Sequence, residues 1–136
     1  LKHGKELSKV NGFQTKIGEG IYTVEAAVTI CGKDINVCMG GGDTFHIGAS
    51  ALAVPRPSLA DPTKNSASAS VICVTSHKED EIARSAALHL ATLFKVRVNV
   101  TCGLHIDNAT KEDIDILFEN YRLVLKDVEK KIAELC

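Results

Sequence analysis

The sequence has no tryptophan, and its aromatic complement is four phenylalanines and two tyrosines. This argues against a surface built to stack unpaired bases. An excess of one charge is missing too. Sixteen basic residues stand against seventeen acidic ones, for a formal net charge of −1. That balance excludes a general polyanion or membrane-surface binder and leaves room only for a local basic patch. No run approaches the ~18 apolar residues of a membrane helix, and the polar N-terminus lacks a signal-peptide core. The expectation is a soluble cytoplasmic protein with no nucleic-acid and no membrane partner. The five cysteines form no CxxC pair, which speaks against a zinc ribbon or a thioredoxin-like redox centre. They read as buried, reduced thiols of an intracellular protein. Also absent are GxxxxGK[ST], GxGxxG and GxSxG, so no NTPase, dinucleotide site or serine hydrolase is indicated.

What is present fits one domain. At 136 residues the chain can bury roughly two thirds of its unfolded surface. Residues 1–11 are weakly patterned and read as an arm, leaving 12–136 as a single domain. Phe13–Ile17 alternates as a short strand. Tyr22, Val24, Ala26, Val28 and Ile30 then face one way against Thr23, Glu25, Ala27 and Thr29. Gly32-Lys33-Asp34 closes a hairpin into Ile35, Val37 and Met39. Gly40-Gly41-Gly42-Asp43 reads as a strand break, a place to turn sharply or to admit a close neighbour. The runs His46–Val54 and Ala69–Thr75 are apolar at odd and even positions alike, which predicts strands covered on both faces.

Ser76-His77-Lys78-Glu79 has the form of a capping box. It opens a helix with Ile82, Ala86, Leu90, Leu93 and Phe94 on its apolar side. Val96–Cys102 alternates as a last strand, and strand–helix–strand order predicts a crossover between parallel neighbours. Thr110 and Asp113 cap a final helix reaching about Leu135, with Ile114, Leu117, Tyr121, Leu125, Val128, Ile132 and Leu135 on one stripe. Ile116 and Leu123 fall off that stripe, and the length of the helix predicts a homodimer using this helix or a sheet edge. The fold class is α+β, a mainly antiparallel β-sheet with two C-terminal helices packed on it.

Two constellations carry chemistry. His46, His77 and His105 sit at strand ends that a suitable sheet order brings to one edge, with Asp43 and Asp107 close by. Such a cluster reads as a ligand-facing polar rim, a metal or acid–base site, or a set of loop hydrogen bonds. The second is the segment after Val54, where Pro55 and Pro57 stiffen the backbone around Arg56. Arg56 with Ser58, Ser66 and Ser68 matches a phosphate or carboxylate receptor, or else a surface salt bridge in a stiff turn. Ser66, Ser68 and Ser70 share one parity and so one strand face.

The strings GGDTFHIGASALAVPRPSL, SASASV, SHKEDEIAR and GLHIDNAT, spread over roughly 20–125, resemble the gallate decarboxylase D-subunit family. That family is a prenylated-flavin chaperone-like domain similar in fold to proteasome assembly chaperones. The resemblance implies a non-catalytic accessory protein that binds, delivers or matures prenylated FMN, or FMN, for a ubiquinone-biosynthesis-type aromatic acid decarboxylase. It carries His46, Arg56, Ser58, His105 and Asp107 as motif positions. Two other readings stand beside it. One is a metal- or histidine-dependent lyase or hydrolase using the strand-end histidines, and the other is a ligand-free assembly chaperone.

Overall fold

The computed structural model describes residues 8–74 and 79–135. Strands β1 (Val10–Ile17), β2 (Val24–Cys31), β3 (Asp34–Gly42), β4 (Ala49–Pro57), β5 (Asn65–Cys73) and β6 (Val98–His105) form one sheet. Helix α1 (Asp80–Phe94) lies between β5 and β6, and α2 (Lys111–Leu135) closes the chain. The sheet order is β1-β2-β3-β6-β4-β5, antiparallel throughout except for the β3–β6 pair. This is the expected α+β architecture, with both helices on one side of the sheet.

Two expectations of topology change. β5 and β6 run in the same direction, but β4 lies between them, and the parallel neighbour of β6 is β3. Strand β1 begins at Val10, inside the segment read as an arm, and pairs with Cys31. The glycine run does not end β3 either: Gly40–Gly42 stay in the ladder, opposite Gly103–His105 of β6.

The core lies between the sheet and the helices. Val24, Ala26 and Val28 of β2, Val37 and Met39 of β3, and Val98, Val100 and Cys102 of β6 are all buried. α1 covers β4 and β5 through Ala83, Ala86, Ala87, Leu90 and Ala91, set against Ala49, Ala51 and Ala53. The helix face is thus alanine-rich, and Leu93, expected inside, is exposed. Small residues on both sides let backbone approach backbone. α2 buries Leu117, Tyr121, Val124, Val128 and Ile132, while Ile114 and Leu135 of the expected stripe are exposed. Its start is the capping box read from sequence. The Thr110 amide donates to the Asp113 carboxylate (2.9 Å), and the Asp113 amide donates to the Thr110 hydroxyl (3.0 Å).

Among the described residues, the other side of the sheet carries no helix. β4 alternates, with Ala49, Ala51 and Ala53 inward and Ser50, Leu52 and Val54 outward, and β5 is a largely exposed edge. These strands are not covered twice, as the apolar runs suggested. Alternation was hidden because the outward face holds Leu52, Val54 and Ile72, all exposed. The cysteines differ from expectation as well. Cys31, Cys38 and Cys73 are exposed, and among the described cysteines Cys102 alone is buried. Its thiol is pushed up to about 12, first by burial and then by the Glu79 carboxylate.

Candidate functional site

Because β6 lies between β3 and β4, the chain leaving Gly42 must cross the end of β6 to enter β4 at Ala49. The crossing is made at very close range, which is what the glycines are for. A Cβ on Gly103 would fall 1.8 Å from the His46 carbonyl oxygen, and Gly42 has φ +90° with the His105 carbonyl beside it. The Asp43 amide donates to the His105 carbonyl (2.8 Å), and the Gly48 amide to that of Cys102 (3.0 Å). The loop therefore sits fixed on the open side of the sheet.

The crossing brings His46 and His105 together, as their strand-end positions predicted. Their rings meet edge to face with centroids 6.3 Å apart. His46 Nε2 is 2.8 Å from Glu79 Oε1, and Nδ1 is 3.2 Å from the Thr44 carbonyl. Glu79 is buried at the N-cap position of α1. It was expected as the capping partner of Ser76, yet its carboxylate reaches across to the β3–β4 loop. His105 Nε2 lies 2.8 Å from Asp107 Oδ1, and the Asp107 amide donates to Asp43 Oδ2 (2.8 Å). Asp43, His105 and Asp107 are all exposed and offer ligand atoms within 4.8 Å of one another. Ser76 and His77 lie outside the described residues.

Two clefts flank this group, on opposite sides of the sheet. On the open side, a cleft of about 370 Å³ has Ala27, Cys38 and Gly40 as floor, Phe45, His46 and Ile47 as wall, and Gln14 and Glu25 at its edge. Phe45 lies directly over Gly40, where a Cβ would stand 2.6 Å from the ring. On the helix side, a cleft of about 330 Å³ is apolar (Ile82, Leu104, Ile106, Leu117, Phe118), with Glu79 and His105 at its rim. Sequence reasoning missed Phe45, Ile47, Ala27 and Cys38. None carries a chemical signal of its own, and only the crossing over Gly40 assembles them.

Arg56 is elsewhere. It sits seven residues along β4 from Ala49, roughly 23 Å at strand rise. The strands continue through the segment taken for a loop, so only Ser58–Lys64 connects them. Arg56 Nε donates to Ser68 Oγ (2.7 Å) and Nη1 to the Pro57 carbonyl (3.0 Å). Ser66 and Ser68 face the open side with it, opposite Arg56 and Val54, as their parity predicted. Ser58 accepts from the Asp61 amide at 3.4 Å. The expected site residues thus fall into two groups: His46, His105 and Asp107 at one end of the sheet, and Arg56, Ser58, Ser66 and Ser68 at the other.

A six-stranded sheet with helices on one side and a loop-walled cleft on the other defines a binding scaffold. The family model for the prenylated flavin chaperone LpdD-like domain matches residues 18–133, and the chain belongs to that family. Among solved structures, it is similar to a chain of a chaperone complex for yeast 20S proteasome assembly. That match has TM-score 0.59 and 17% identity over 93% of this chain and 98% of the other. It bears out the proteasome-assembly-chaperone-like fold. No curated protein matches the sequence. Among the described residues, no helix is long and apolar enough to cross a membrane.

Proposed function

We propose that this protein is a non-catalytic accessory chaperone that holds prenylated FMN, or FMN, for a decarboxylase of the ubiquinone-biosynthesis type. In this reading it acts in the cytoplasm as a homodimer. Family membership supports a flavin as the ligand. The observation that carries the site is the cleft beside Phe45, whose small-residue floor of Ala27 and Cys38 and aromatic wall suit a flat, largely apolar ring system. Gln14 and Glu25 offer hydrogen bonds to the polar edge of such a ring, and His46, held through its two ring nitrogens by Glu79 and the Thr44 carbonyl, gives its ring as wall. Among the described residues no Lys or Arg lines the cleft, so in this reading the phosphate lies outside it. Lys16, paired with Glu25 across β1 and β2, is the cation this face offers beside the cleft. Arg56 lies too far along β4 to serve the same ligand.

The test is a transfer experiment. The protein is incubated with prenylated FMN, passed over a desalting column and added to apo-decarboxylase. Flavin absorbance should travel with the protein, and the enzyme should gain more activity than from free flavin. Activation without co-migrating flavin would favour the ligand-free assembly chaperone.

The lyase or hydrolase reading keeps one observation in its favour, the convergence of Asp43, His105 and Asp107. Equilibrium dialysis against divalent cations, with Asp107→Asn as the control, tests it.

A further inference from the structure

We infer that the helix-side cleft at the His105 end is a docking site for a partner protein, which enters it with a large apolar side chain carried on a basic segment. The identity of that partner, the client decarboxylase, rests on the proposed function.

The cleft is built as an anchor pocket. It lies between the start of α1, the end of β6 and the first turns of α2, with a volume of about 330 Å³. Its walls are hydrocarbon, from Ile82, Leu104, Ile106, Ala109, Leu117 and Phe118. Ile106 and Leu117 are buried, but Phe118 is 38% exposed and Ile114, also on α2, is 43% exposed. Those two are four residues apart and so share one helix face. A small-molecule site ordinarily sets polar groups among its apolar walls. Here the polar residues, Glu79 and His105, stand at the rim, which suits an apolar side chain pushed in from a larger surface.

The charge around the opening selects the partner. Residues 79–84 and 104–118 supply the walls of the cleft. Besides Glu79, their acids are Asp80, Glu81, Asp107, Glu112, Asp113 and Asp115, whereas their lysines and arginines are Lys111 and Arg84 alone. Both bases face acids of their own helix, Arg84 with Glu81 (3.8 Å) and Lys111 with Asp115 (4.0 Å). Acids favour helix N-termini, and two helices start here. At about half a charge each, those termini offset only a small part of the excess. A chain of nearly zero net charge thus gathers negative charge around one apolar opening. An acidic surface is repelled there, and a segment with Lys or Arg around an apolar residue is drawn in.

The position of the cleft suits a handover. It lies on the opposite side of the sheet from the proposed flavin cleft, so a partner seated here leaves that cleft open. The two share a wall: Glu79, at this rim, holds His46 Nε2 (2.8 Å), and His46 lines the other cleft. The partner therefore reaches the loop that walls the flavin without covering it.

Calorimetric titration of the protein into apo-decarboxylase, with no flavin present, tests this. Wild type should bind, and raising salt from about 50 to about 300 mM should weaken the complex several-fold by screening the rim. Phe118→Glu and Ile114→Glu should each weaken it about thirtyfold or more, the loss of a central anchor. Glu112→Lys, at an exposed position outside the core, should weaken it several-fold. Leu93→Glu, an exposed apolar position at the other end of α1, should bind as wild type does. Circular dichroism should show all four variants folded. A wild type that does not bind the enzyme would overturn the inference. So would full affinity in the folded cleft variants, a complex indifferent to salt, or an equal loss in Leu93→Glu. Flavin co-migration is measured separately. If Phe118→Glu carries flavin and still activates the enzyme fully, the docking site falls and the proposed function stands. If wild type carries no flavin, the proposed function falls whatever the titration shows.

Discussion

The two ends of the sheet were equally suggestive in sequence and differ sharply in structure. At the His46 end, one loop crosses a strand at glycine-only range, and a buried glutamate from α1 reaches over to hold an imidazole. Clefts open on both sides. At the Arg56 end, the polar side chains satisfy one another along a simple β-hairpin, with Arg56 on Ser68 and Asp61 on Thr63. Polar side chains make a site only where topology forces a crossing that leaves space. A stiff, charged segment whose strands simply continue spends its donors on its neighbours.

The largest expected contrast is in stability. Gly103→Ala puts a methyl group where the His46 backbone lies and should cost about 3 kcal/mol, at the upper end for overpacking. Ser66→Ala at the other end should change little, and thermal denaturation of both variants checks this. Binding comes next. His46→Ala should weaken FMN up to about tenfold, the worth of one aromatic wall contact. Arg56→Lys should leave affinity within about twofold, and fluorescence titration reads both.

Thiol chemistry gives a smaller contrast. Cys38, on the cleft floor, should react readily with a disulfide reagent at pH 8. Cys102, buried and pushed up to about 12, should stay unmodified until the protein unfolds. Mass spectrometry after timed quenching distinguishes them.

The smallest effect is on acid stability. The Thr110 amide, and then the Tyr22 hydroxyl (2.7 Å), hold Asp113 below the usual carboxylate range. Asp127 is lowered by the Thr15 hydroxyl and then by Lys131. Both folded values lie below the unfolded ones. Their stabilisation is therefore complete above the ordinary value of about 4 and is lost as pH falls through the folded value. Asp113→Asn should make the decline of Tm below about pH 4 shallower. Asp61, lowered by Thr63 two residues away, sits in a local turn, and Asp61→Asn should alter that decline less.

Much of this contrast could be read in the sequence, for physical reasons. β2, β3 and β6 alternate visibly because their outward positions hold Glu25, Thr29, Asn36, Asn99 and Thr101. The meeting of His46 and His105 follows from their strand-end positions and the strand directions. The order of β3, β6 and β4 was not legible, because long-range pairing leaves no local mark, and the crossing with its cleft was hidden with it. β4 and β5 looked doubly covered because the open face is itself apolar there. Glu79 looked like a cap residue because capping boxes are recognised by spacing, and spacing says nothing of a loop arriving from another strand. Arg56 drew attention through its flanking prolines, although a rigid backbone does not by itself make a receptor.

The central claim is that the flavin lies on the floor of the His46 cleft. Calorimetric titration of FMN into wild type, Ala27→Phe and Arg56→Ala tests it most directly. Ala27 is exposed on that floor and outside the core, so a phenyl ring there fills the cleft and leaves the fold intact. The account predicts that Ala27→Phe abolishes binding while Arg56→Ala binds as wild type does. Full affinity in Ala27→Phe, or loss of binding in Arg56→Ala, would contradict it and move the site to the other end of the sheet.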